Sequence, residues 1–302
     1  MNRRAAMCVG LLIGFSVFGV VVRSALSDRG SIPYDPDVTI FEPNQRALIA
    51  WNGTEEILLL STELHASKEV DVLEVLPLPT EPTVKKGDMK VFERAVRLIN
   101  KKTALKAVFA GKGHGEGARN AEDAGEVTFE AKIGAHDISV VKVKDADHFV
   151  EWVVCFLRDK KNVPDAKVSE DFKRIIGSYV KDGFCWFVFD TVKVKKAAEQ
   201  IEPIQYQFKT EKLFYPMRIT SLAQGETVID LIVLTPRMLS KFPCLPMDRI
   251  ELRHDPVDVN IDEISGVSED FAGLLRRESN CKLRIWRVSG KLSELDKDIV
   301  AE

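Results

Sequence analysis

The stretch QRALIAWNGTEEILLLSTEL, Gln45–Leu64, decides the fold. Two runs rich in aliphatic and aromatic residues flank Asn52-Gly53. That dipeptide tolerates the positive φ angles of a tight turn, so the stretch predicts a β-hairpin at the head of the folded body. A third run, DVLEVLPL, predicts another strand and ends in the proline-punctuated PLPTEPTVKKGD. Asp88 then predicts a helix cap, with Met89, Phe92, Val96 and Ile99 on one helical face.

Beyond the hairpin, VTFEAKIGAHDISVVKVK reads as a second hairpin. A helix from Asp145 places Phe149, Trp152, Val153, Phe156 and Leu157 at helical spacing. Another places Phe172, Ile175, Ile176, Tyr179 and Val180 so, with Gly183 as its stop. FCWFVFD is apolar on both faces and reads as a central strand. PIQYQFKT, FYPMRITSL, TVIDLIVLTP, RIEL and KLRIWRV supply further strands, with a helix at Phe271–Arg277. Strands and helices mix without strict βαβ alternation. The expected class is α+β, with mixed, mostly antiparallel sheets and amphipathic helices.

A hairpin followed by a helix recurs near 45–100 and 127–160. It suggests two lobes, about 38–104 and 127–242, inside an α+β domain spanning 38–242, with an α/β extension at 243–302. GKGHGEG, Gly111–Gly117, sits between the lobes. A phosphate-binding loop needs Gly-Lys followed by Ser or Thr, or glycines leading directly into a helix. Here a polar run leads into a strand, so 111–125 reads as a glycine-rich linker.

The chain has 302 residues, 45% hydrophobic and 29% charged, with net charge -3. A mildly acidic body argues against nucleic-acid partners. The N-terminus reads MNRR, then Ala5–Val22 without a charge. Ala25 and Ser27 fit a cleavage site. Residues 1–27 are therefore either a cleaved signal peptide or an N-terminal membrane anchor, followed by a tether at 28–37. Arg3 and Arg4 hold the N-terminus inside and send the body to the extracytoplasmic side. Secretion follows if cleavage occurs near Ser27. Cys155, Cys185, Cys244 and Cys281 permit two disulfides or stay as buried thiols. Asn52-Gly53-Thr54 is a glycosylation sequon.

Motifs for known chemistry are sparse. No H-E-x-x-H or G-x-S-x-G occurs. His136-Asp137 and His254-Asp255 read as surface pairs. Trp51, Trp152, Trp186 and Trp286 have apolar neighbours and read as core. One segment has metal-ligand spacing: Asp258, Asn260, Asp262 and Glu269 stand at positions 1, 3, 5 and 12 of a calcium loop. Glu263 occupies the position where glycine makes the sharp turn. Calcium is the one cofactor these residues suggest. An acidic strand leading into a helix is the competing reading.

Several motifs together resemble an uncharacterised prokaryotic family of exported proteins, catalogued as a domain of unknown function. They are Gln45 to Trp51, Leu76 to Pro82, Asp145 to Trp152, Gly183-Phe184, and Tyr215 to Thr220. The resemblance spans about residues 40–240 and implies no catalytic residues. The expected function is an extracytoplasmic, membrane-associated binding or structural module of the cell envelope, with Asp145, Arg218 and Glu81 on its exposed surface. Its expected partners are the membrane, through the N-terminal helix, and an envelope protein or component. The rival expectation is an envelope hydrolase using carboxylate chemistry, which needs a cleft of convergent acids.

Overall fold

A computed structural model describes residues 30–35, 38, 40–41, 44–108, 130–133, 136–143, 146–160, 163, 168–197, 199–222, 226–239 and 247–302. The signal or anchor at 1–27, the glycine-rich linker, Asp145 and Cys244 lie outside these residues. In chain order the first elements are β1 (Gly30–Pro33), β2 (Ile40–Phe41), β3 (Asn44–Trp51), β4 (Glu55–Ala66), β5 (Val70–Leu78), β6 (Thr83–Lys86) and α1 (Lys90–Val108). Then follow β7 (Glu130–Ile133), β8 (His136–Lys142), α2 (Ala146–Cys155), α3 (Glu170–Lys181), β9 (Trp186–Val194), β10 (Glu199–Gln200), β11 (Ile204–Lys209) and β12 (Leu213–Tyr215). The last are β13 (Glu226–Thr235), β14 (Ile250–Leu252), β15 (Val257–Val259), α4 (Ile261–Ser265), α5 (Glu269–Leu275), β16 (Cys281–Lys291) and β17 (Ile299–Ala301).

The expected hairpin forms. β3 pairs antiparallel with β4, from Trp51↔Glu56 to Gln45↔Thr62. Gly53 sits at φ +99°, and Asn52 Oδ1 accepts from the Thr54 and Glu55 amides at 3.0 and 2.9 Å. The hairpin lies at the centre of a large sheet ordered β14-β16-β13-β3-β4-β11-β6, with β2, β10 and β15 attached. Only the β13–β3 pair among these is parallel. A second sheet runs β1-β5-β9-β8-β7, all antiparallel. β12 and β17 make a two-stranded sheet.

Period-two alternation builds the layers. Ala47, Ile49, Leu58 and Leu60 face a core shared with Leu76, Leu78, Ile138, Val140 and Val188 of the second sheet. Leu48, Ala50, Ile57 and Leu59 face the opposite way, onto Phe92, Ala95 and Ile99 of α1 and Phe271 and Leu275 of α5. On the far side of the second sheet, Leu73, Val75, Phe187 and Phe189 pack on Phe149 and Val153 of α2 and Phe172, Ile176 and Tyr179 of α3. The order of layers is helix, sheet, sheet, helix. Both sheets are covered on both faces, which explains the nearly continuous apolar runs in β3, β4, β5 and β9.

Several expectations need correction. The two stretches read as lobes are interleaved: β5 of the first joins β8 and β9 of the second, while β3 and β4 join β11 and β13. The extension after 243 is no appendage, since β16 pairs with β13 from Glu226↔Lys291 to Thr235↔Lys282. Part of the tether is β1, paired with β5. FYPMRITSL is strand only to Tyr215. Pro216 cannot donate to a ladder, and Arg218–Leu222 form a 3-10 turn. On α1, Val91 and Ala95 are buried and Val96 faces out. Trp51 and Trp286 are core, but Trp152 is 38% exposed, stacked beside Phe156 at 5.1 Å.

Candidate functional site

The layer between the sheets is apolar at both ends and polar in the middle. One end holds Leu58, Leu60, Leu76 and Val188, and the other Leu64, Ala66, Val72 and Val192. Between them, in the same alternation phase, stand Thr62 on β4, Glu74 on β5, His136 on β8 and Asp190 on β9. All four are at most 5% exposed. Glu74 and Asp190 are direct cross-strand partners. His136 Nδ1 lies 2.6 Å from Asp190 Oδ2, and Nε2 lies 2.8 Å from the Glu202 carbonyl oxygen. A carbonyl only accepts, so Nε2 carries a proton. A second proton lies between Nδ1 and Asp190. Neither nitrogen keeps a lone pair for a substrate, so the imidazole is held as a brace between β8, β9 and the segment before β11.

The hollow beside this group is lined by Leu60, Thr62, Glu74, His136, Ile201 and Glu202 and has a volume of about 10 Å³, room for a single water. A second, near Met238 and Arg284, also has a volume of about 10 Å³. Small-molecule sites usually run roughly 300–1,000 Å³. Both hollows fall short of that. At the other end of β4, Glu56 is fully buried. Its Oε2 accepts from the Phe214 amide at 2.8 Å, and Oε1 has no hydrogen-bond partner among the described residues. Burial holds this carboxyl well above its usual range, the Phe214 amide offsetting part of the shift.

A second buried group joins the helical layer to the C-terminus. Asp298 Oδ1 accepts from Tyr179 Oη at 2.6 Å and from the Arg218 amide at 2.9 Å. Arg218 Nη2 lies 3.2 Å from Asp298 Oδ2, and Nη1 donates to Asp182 at 2.6 Å. The guanidinium lies 3.9 Å over the Tyr179 ring centroid. Burial raises the Asp298 carboxyl, while Tyr179 and Arg218 pull it down. Burial, then the Asp298 charge, pushes the Tyr179 hydroxyl well up. Burial alone would lower Arg218, but Asp298 and Asp182 hold it above its ordinary value.

The residues read from sequence as a calcium loop do not converge. Asn260 is the N-cap of α4, its Oδ1 accepting from the Glu263 amide while Glu263 returns a bond to the Asn260 amide. Asp258 accepts from Asn280 and pairs with Lys282. Asp262 lies in the first turn of α4, and Glu269, in that of α5, accepts from Ser265. Among the described residues, no three His, Cys, Asp or Glu gather to hold a metal. The acidic strand leading into a helix is what forms.

His136 is 1% exposed and not a surface residue, because it shares the inward phase of Ile138 and Val140. His254 does lie outside; its Nε2 accepts from the Ile285 amide, so Nδ1 carries the proton toward the Asp255 carbonyl. Arg218 is mostly covered, with 18% of its side chain exposed, whereas Glu81 is exposed as expected. Cys155, Cys185 and Cys281 are free thiols, so the two-disulfide arrangement does not form; burial pushes the Cys281 thiol up to about 11. The sequon asparagine is occupied: Asn52 Nδ2 donates to the Leu274 carbonyl at 3.3 Å.

A layered α+β body with internally braced ionisable groups is the class that fold and site define. Residues 25–243 match the family described as "Uncharacterized protein conserved in bacteria (DUF2330)", and the chain belongs to that family. No curated protein matches this chain. Among solved structures, the crystal structure of baculovirus P35 is similar over 90% of this chain and 99% of its own, at 10% identity and a TM-score of 0.39. A likeness at that level carries no inference about this chain.

Proposed function

We propose that the chain is a binding or structural module of the bacterial cell envelope, with residues 5–22 holding or exporting it and the body extracytoplasmic. One observation carries the non-enzymatic reading. The histidine that faces the buried acids is bonded to Asp190 and to the Glu202 carbonyl, beside a hollow of about 10 Å³. A hydrolase needs its acids in a cleft that admits substrate. The uncharged Ala5–Val22 run behind Arg3 and Arg4 supports the location. Among the described residues no helix is long and apolar enough to cross a membrane.

The test is protease treatment of spheroplasts producing the full chain with a C-terminal epitope tag. The tag is expected to be digested, or found in the medium, while a cytoplasmic control survives. A tag that resists until the cells are lysed overturns the extracytoplasmic reading. Turnover of a glycan or ester by the purified chain, lost on substituting Glu74 or Asp190 in a protein that stays folded, overturns the non-enzymatic one.

A further inference from the structure

The Asp298 cradle divides unevenly along the chain. Tyr179, Asp182, Arg218 and β12 all fall within the family region 25–243, while Asp298 and β17 come from beyond it. The receiving side also has contacts of its own. Arg218 is held by Asp182 at 2.6 Å and by stacking on Tyr179, and its backbone amide opens the 3-10 turn. Three donors then converge on one carboxylate: the Tyr179 hydroxyl, the Arg218 amide and Arg218 Nη2. Arg218 Nε is buried and has no hydrogen-bond partner among the described residues, so within them the cradle has unused donor capacity. Directly after the carboxylate, the tail adds to β12 as a strand, Tyr215↔Ile299 to Leu213↔Ala301. Ile299 and Ala301 point into the core between the sheets, and Val300 lies between them, less buried.

A cradle that gathers three donors on one carboxylate, beside a strand edge that takes an added strand, is the chemistry of peptide capture by strand addition. We propose that Tyr179, Arg218 and the β12 edge form a receptor for an extended acidic peptide of the pattern Asp-apolar-x-small, which this chain fills in cis with Asp298–Ala301. The tail is then a displaceable plug, and the receptor belongs to the family part of the chain. The proposal is independent of where the protein resides.

The probe is a fluorescein-labelled peptide, SELDKDIVAE, copying Ser293–Glu302, titrated against full-length protein and read by anisotropy. Asp298→Ala releases the plug's anchor and is expected to take up the peptide saturably, while wild type takes up little. A peptide carrying Asp298→Asn is expected to bind at least about tenfold more weakly, the size of one charge-assisted hydrogen bond. Adding Arg218→Lys to Asp298→Ala is expected to weaken uptake similarly. An Asp298→Ala chain with native near-ultraviolet dichroism that ignores the peptide overturns the proposal. So does equal uptake of the Asp and Asn peptides, or equal uptake by wild type. Should Asp298→Ala not fold, the same readings are taken on Asp298→Asn, which keeps the side chain's shape.

Discussion

Glu56 and His136 show what single side chains do inside a two-sheet core. The Glu56 carboxyl is held up by burial, so the folded state binds its proton more tightly than the unfolded state does. Its stabilisation is full below the ordinary value of 4.5 and is lost as pH rises toward the folded value. Urea denaturation of wild type is therefore expected to show stability falling as pH climbs above that value. Asp298, also raised, adds the same sign, so Glu56→Gln should remove part of the slope rather than all of it. The His136–Asp190 contact is different in kind. Asp190→Ala strips one partner from a buried pair and is expected to cost about 3–5 kcal/mol, read as a drop in the urea midpoint. These residues could have been found in the sequence by phase. Glu74 shares parity with Val72 and Leu76, Asp190 with Val188, and His136 with Ile138. Residue type pointed outward while alternation pointed inward, and the alternation won because partners of matching polarity met on adjacent strands.

Elements were legible where local chemistry fixes them. The Asn52-Gly53 turn, α3 with its apolar face and Gly183 stop, and β9 follow from turn propensity, a helix-ending glycine and periodicity. Gly53→Ala is expected to cost about 1–2 kcal/mol at φ +99°. Among the described residues nothing lies within 4 Å of the added methyl, so the loss is conformational, and thermal denaturation measures it. At α4 the competition between ligand loop and helix start was decided by Asn260, whose side chain caps the helix. Asn260→Ala is expected to cost about 1 kcal/mol. Calcium is expected to leave the melting temperature unchanged, and a calcium-dependent rise that Glu269→Ala abolishes would return the loop reading. FYPMRITSL misled because its apolar spacing outweighed Pro216.

At the scale of the molecule, the sheet partners escaped the sequence. β3, β4, β5 and β9 have the same aliphatic composition, and nothing local says that β5 leaves the first sheet for the second. Hence two lobes were expected where strands interleave. The same pairing makes the last sixty residues part of the core: Trp286, Val288, Leu295 and Ile299 are buried between the sheets. A fragment ending at 243 would expose β13 along the whole edge that β16 covers. It is expected to show no cooperative unfolding transition and to be digested rapidly by trypsin under conditions that spare the full chain. A fragment with a sharp transition would show that the family region folds alone.

The parallel β3–β13 pair also sets a timetable. Val228↔Asn44 to Leu234↔Ala50 join strands at opposite ends of the family region, and β13 is flanked in turn by β16. The central hairpin leaves the ribosome early, yet one of its edges waits until β13, Glu226–Thr235, has been made. At roughly 5–20 residues per second, synthesis leaves that aliphatic edge uncovered for many seconds. Such high contact order places refolding in the slow, millisecond-to-second range. The nascent chain is thus open to holding chaperones until its final strands arrive.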